Sequence, residues 1–134
     1  MNHEVSTEPV PARPVLTPVG LQLLTEDVGA ETARAFLIAY LALLAVRADA
    51  IVDKLASGDV VGARKAVSSL DATSSMAGAL RLEDYCQSLQ RQLSAGRIPN
   101  AGAVRVELDE NVSLLSSAIP ELLSTPVDGQ DDGS

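Results

Sequence analysis

The sequence predicts an all-α chain: an up-and-down antiparallel four-helix bundle with a short extra helix at its N-terminal end. Three observations predict it. Apolar residues recur at spacings of three and four through four long segments. No window alternates with period two over a convincing length, so strands find no support. Short loops marked by glycine separate the segments, and short connections make consecutive helices antiparallel neighbours. A length of 134 residues suits one domain, and an apolar share of 46% is enough for a packed core.

Residues 1–15 read as a flexible leader, because prolines crowd the start of the chain and no apolar period is present. The bundle is expected over residues 16–124, and residues 125–134, TPVDGQDDGS, read as a disordered acidic tail. The short helix covers 18–24 and begins with Pro18, which suits a first helical turn. The second helix spans about Ala30 to Ser57, with Leu37, Leu41, Leu44, Ala48, Ile51 and Leu55 on one stripe. Gly58 is a stop, and Asp59 is the N-cap of the third helix.

The third helix spans about Val60 to Ser75 and buries Val60, Ala63, Val67, Leu70 and Ser74 or Ala77. Gly78 ends it. The fourth spans about Ala79 to Ala95 with Leu82, Cys86, Leu89 and Leu93 inward, and Gly96 opens a Gly/Pro loop. The fifth spans about Ala103 to Ser124 with Leu108, Val112, Leu115, Ile119 and Leu122 on its stripe. Pro120 interrupts it, and an interior proline costs ~3 kcal/mol, so a kink or an early end near Ile119 is expected. The expected core is Leu44, Ile51, Val67, Leu70, Leu82, Leu89, Leu108, Val112 and Leu115.

Composition removes several function classes. With 2% aromatic residues and a net charge of −8, neither base stacking nor a phosphate-backbone partner is expected, so nucleic acid is set aside. The one cysteine makes no internal disulfide, which suits a reducing cytoplasm. His3, the one histidine, stands in the leader, away from any helix that would support a metal or nucleophile site. No secretory signal is visible, and the longest apolar run, Ala35 to Val46, is twelve residues against the ~20 a spanning helix needs, so no membrane is expected. Motifs for nucleotide phosphates, zinc or a di-metal bundle do not occur, and no cofactor is expected.

The most informative stretch is Gly58 to Leu82, GDVVGARKAVSSLDATSSMAGALRL. It resembles the signature of histidine phosphotransfer (HPt) domains, small four-helix bundles that relay phosphate between receiver domains in two-component systems. Matching helix lengths extend the resemblance over about Leu16 to Leu123. In that family the phosphorylated His is followed at three residues by Lys, at four by Gly, and about ten later by a Gly-Ala turn. Gly78 and Ala79 match the turn, and Leu70 matches a buried Leu. The His position is Ser68, the Lys position Asp71 and the Gly position Ala72.

Those departures bear on chemistry. A serine hydroxyl is a weak nucleophile without a positioned base, and its phosphate ester is too stable to serve as a relay. Asp71 adds negative charge one turn from Ser68, while Arg64 and Lys65 stand four and three residues before it. The resemblance therefore implies a degenerate, non-enzymatic, cytoplasmic member that docks response-regulator receiver domains without carrying phosphate. Its contact face would hold Arg64, Lys65, Ser68, Asp71, Ala72 and Ser75. The plainer reading of those residues is a solvated helix face on a structural, self-associating bundle. Cys86 reads as core, and Tyr40 and Tyr85 as packing at the core edge. The all-round apolar stretch Phe36 to Val46 is expected to be covered by the short first helix, with a homodimer surface as the alternative.

Overall fold

A computed structural model describes residues 13–124. It contains five helices: α1 (Pro18–Val28), α2 (Ala30–Ala56), α3 (Val60–Ala77), α4 (Leu80–Ser94) and α5 (Ala101–Ser124). Among the described residues there is no strand. The long helices run up and down as expected. α2 is the centre of the bundle, packed along α5 on one side and α3 on the other; α3 packs along α4, α1 lies across α2 and α3, and α4 touches α5 only lightly.

Local chemistry sets the boundaries. The Asp59 carboxylate accepts a hydrogen bond of 2.8 Å from the Gly62 amide and caps α3. Gly78, at φ +82°, closes α3 in the left-handed region that a side chain disfavours. α1 is longer than expected: it runs on to Gly29, whose amide donates to the Thr25 carbonyl at 2.9 Å and whose φ of +92° ends the helix. α5 starts earlier than Ala103, since the Asn100 side chain accepts from the Ala103 amide at 2.9 Å and caps a helix beginning at Ala101.

Of the two outcomes expected at Pro120, a kink or an early end near Ile119, the early end does not occur: α5 continues through Pro120 to Ser124. Pro120 and Ser116 are both exposed, so the carbonyl that loses its i+4 donor faces water. The last turn has compensating contacts. Arg34 donates to the Leu123 carbonyl at 2.7 Å, and Leu122 and Leu123 pack against the core.

The core holds Leu37, Leu44, Ile51, Val67, Leu70, Leu82, Leu89, Leu108 and Leu115, each at 1% exposure or less. Val112 is a correction: it is half-buried, and Asn111 takes the inward place at 2% exposure. The rotation of α5 against α2 puts Val104, Leu108, Asn111, Leu115 and Ile119 on the buried line. The Asn111 amide donates to the Glu107 carbonyl at 2.9 Å, and its Oδ1 is buried with no partner. Leu41, likewise expected inside, is half-buried, and Tyr40 is buried next to it. The Tyr40 and Ser74 hydroxyls share a hydrogen bond of 2.7 Å, which satisfies both polar groups inside the bundle.

α2 is long and apolar enough to cross a membrane by length and composition alone, yet it forms the spine of this bundle. α1 covers only part of its surplus apolar surface. Phe36 and Leu21 join the core margin, while Ile38, Leu43 and Val46 stay 56%, 44% and 62% exposed.

Most of the expected leader, His3 included, lies outside the described residues, as does the tail over 125–134. The leader's last three residues are described, and they are tied down. Arg13 donates to the Asp84 carboxylate at 3.0 and 2.8 Å and to Glu83 at 3.1 Å. The Pro14 carbonyl accepts from the Arg81 amide at 3.1 Å, and the Thr17 amide donates to the Gly78 carbonyl at 2.9 Å.

Candidate functional site

The face singled out from the sequence is the outward side of α3. The inward line is Ala63, Val67, Leu70, Ser74 and Ala77. Helical geometry then turns Val61, Lys65, Ser68, Ala72 and Met76, at spacings of four and three, toward solvent. Arg64, Lys65, Ser68, Ala72 and Ser75 are all exposed, and Asp71 is half-buried. Ser68 sits mid-helix, between buried Val67 and exposed Ser69. Ser69 turns toward α2, where Arg47 donates to its hydroxyl at 2.8 Å.

The six residues divide between a groove and a ridge on α3. Arg64, Lys65 and Ser68 share a shallow groove of about 350 Å³ with Val61 and, from α4, Gln90 and Ser94. Asp71 turns away from this groove and faces α4, where Gln87 hydrogen-bonds it. Its pKa is raised by burial and by the Glu83 carboxylate. The negative charge beside Ser68 is thus directed at the α3–α4 seam, and among the described residues the groove lining carries no carboxylate. Ala72 and Ser75 continue the exposed ridge toward the α3 C-terminus.

The two cations of the groove differ from most others in the chain. The salt bridges among the described residues use Arg13, Lys54 and Arg105, while Arg34, Arg47 and Arg81 donate to oxygens elsewhere. Among the described residues Arg64 is in no such contact, and Lys65 acts on Asp59 only through space. Arg91 of α4 stands just beyond, on a second shallow depression that shares Gln90 and Ser94 with the first.

Sequence reasoning missed Val61, Met76, Gln90 and Ser94. Val61 and Met76 are 65% and 48% exposed and bracket the ridge; their spacing from Ser68 was a readable signal. Gln90 and Ser94 belong to another helix, and only the packing of α4 on α3 brings them there.

Cys86 is fully buried, and burial, with the nearby Asp71 and Glu83 carboxylates, pushes its thiol up to about 12. It is a core residue without thiolate character at neutral pH. Tyr85 is half-buried, its phenol pushed up to about 12 by burial and by Glu107; burial also raises the Tyr40 phenol. Among the described residues no three His, Cys, Asp or Glu side chains gather as a metal site.

The antiparallel four-helix bundle with a capping N-terminal helix is an HPt-like fold, as comparison with a solved structure shows. The crystal structure of histidine-containing phosphotransfer protein B (HptB) from Pseudomonas aeruginosa PAO1 has this fold: the match has a TM-score of 0.73, at 21% sequence identity, over 86% of this chain and 100% of that one. No protein-family model matches this sequence, and no curated protein matches it as a relative.

Proposed function

We propose that this chain is an HPt-like docking module of the cytoplasm that engages the receiver domains of response regulators through the outward face of α3 and carries no phosphate itself. The observation that carries the reading is Ser68: mid-helix, exposed, ten residues before the Gly78-Ala79 turn, in a bundle of HPt-like fold. Among the described residues of the groove no imidazole or carboxylate stands as a base for that hydroxyl, which supports contact without relay. The module we assign is the bundle expected over residues 16–124, extended at its start to Arg13, which pairs with Glu83 and Asp84.

The test is receiver binding with Ala72→Trp. Ala72 is exposed on the ridge, so a large side chain leaves the core untouched and obstructs any partner seated on this face. Loss of binding with an unchanged thermal melt supports the reading. Unchanged binding to a confirmed receiver removes α3 from the interface. In parallel, incubation with an autophosphorylating histidine kinase and a receiver should leave no acid-labile phosphate on the chain, and phosphate dependent on Ser68 would overturn the claim.

One observation favours a second reading. Ile38, Leu43 and Val46 leave a charge-free apolar strip on α2 uncovered, which suits self-association of a structural bundle. Sedimentation of Val46→Glu against the unsubstituted chain separates the two readings.

A further inference from the structure

Resting on the self-association reading, we infer that the uncovered face of α2 pairs with the same face of a second copy of this chain, antiparallel, about a two-fold axis that passes between Ala39 and Ala42. Ile38, Leu43 and Val46 stand out from this face between the exposed Ala35, Ala39 and Ala42, and from Ala35 to Val46 no exposed residue is polar. The two arginines at its ends are turned away from it. Arg34 donates to the Leu123 carbonyl on α5, and Arg47 donates to the Ser69 hydroxyl on α3. The nearest carboxylates beyond the ends, Glu31 and Asp49, have Arg34 one turn away and Arg105 at 2.6 Å. The face is therefore neutral as well as apolar, in a chain of net charge −8.

The order of large and small residues selects the occupant. An axis midway along the strip sets Ala35 of one copy level with Val46 of the other, and symmetry repeats the match at the far end. Ile38 then lies over Ala42, Leu43 over Ala39 and Val46 over Ala35 of the other copy, so each large side chain meets a small one. A parallel pair would set Val46 on Val46 and Ala35 on Ala35. That arrangement holds the helices apart at one end and leaves a gap at the other, against the close packing that interfaces require.

The size of the face sets the strength of the pair. Its exposed residues present roughly 500 Å² per copy, so two copies bury roughly 1,000 Å². That area reaches the lower bound of specific interfaces and falls short of permanent dimers. A reversible dimer with a Kd of roughly 10–100 µM is expected. Two copies of like net charge repel each other from a distance, while the face itself adds no charge to the contact. Added salt screens that repulsion and should tighten the dimer.

The experiment is sedimentation of the full chain across and above that concentration range, at low and high salt, followed by cross-linking with a short bismaleimide. The expected result is a concentration-dependent dimer that salt tightens and that Val46→Glu weakens by about tenfold or more, because it buries a charge. For the orientation, chains carrying Ala35→Cys and Val46→Cys are mixed; Cys86 is fully buried and does not compete for the reagent. The antiparallel register joins the two variants to each other. It yields little of either self-pair, since each of these residues stands roughly 16 Å along the helix from its own copy. Self-pairs that equal or exceed the mixed pair, or no cross-link in a chain that dimerises, overturn the antiparallel register and leave the self-association reading standing. A dimer that salt loosens, or that Val46→Glu leaves unchanged, overturns the assignment to this face of α2. A monomer at every concentration overturns the self-association reading and this inference together.

Discussion

Replacing Gly20 with alanine sets two effects of known size against each other. Ala is favoured over Gly inside a helix by about 1 kcal/mol, so on propensity alone Gly20→Ala strengthens α1. The packing opposes it. A Cβ built on Gly20 would stand 2.7 Å from the Gly78 nitrogen and 2.8 Å from the Ala77 carbonyl carbon and the Gly78 Cα. All three are backbone atoms at the α3–α4 turn and cannot rotate aside. Restoring ordinary contact requires α1 to lift by roughly 1 Å, an overpacking that costs about 1–3 kcal/mol. It also strains the 2.9 Å bond from the Thr17 amide to the Gly78 carbonyl, worth about 1 kcal/mol net.

The packing loss exceeds the propensity gain, and a net destabilisation of about 1–2 kcal/mol is expected, or roughly 4–8 °C in the melting temperature. The assay is a thermal melt followed by circular dichroism, with amide exchange of Thr17 as a local readout and the exposed Gln22→Ala as a control in the same helix. Gly78→Ala approaches the junction from the other side: its Cβ meets the Thr17 carbonyl oxygen at 2.7 Å, and φ of +82° adds left-handed strain of about 1–2 kcal/mol. A Gly20→Ala melt at or above the parent value, with Thr17 exchange unchanged, would refute the close seating of α1 on the turn.

Three further outcomes follow from buried groups. Cys86 holds its proton to about 12 in the fold and to about 9 when unfolded, so between these values the unfolded state alone releases it and stability falls as pH rises, by at most about 1.4 kcal/mol per unit; denaturant midpoints from pH 8 to 11 should show this, with a shallower decline in Cys86→Ala. The Cys86 thiol should also resist iodoacetamide at pH 8 until denaturant is added, and rapid labelling of the native chain would contradict its burial. Asn111→Leu removes a buried, unpaired Oδ1 at the cost of one hydrogen bond within its own helix, and a gain of about 1–2 kcal/mol is expected in a urea melt; a loss would reveal a partner for that oxygen.

What the sequence determined by itself is the local part of the molecule. The Asp59 cap, the Gly78 stop, the spans of α2, α3 and α4, and most of the core depend on residues a few positions apart, and the side-chain period of a helix is a short-range property. The exposure of Ser68 and Ala72 was legible for the same reason, because the buried line through Val67 and Leu70 leaves them on the opposite side. The tertiary structure decided everything that depends on how one helix is rotated against another. The docking of α5 on α2 puts Asn111 inside and Val112 at the margin, although the spacing of the stripe admits either. The return of α4 along α3 brings Gln90 and Ser94 to the groove of Arg64 and Lys65 and draws Asp71 out of it. The stop near Ile119 failed because the cost of Pro120 falls on an exposed carbonyl while Arg34, 89 residues away in sequence, holds the last turn. Arg13 to Val15 join the bundle through Arg81, Glu83 and Asp84, partners separated from them by some seventy positions. No local pattern encodes such pairings, since contacts between distant residues exist only once the helices have packed.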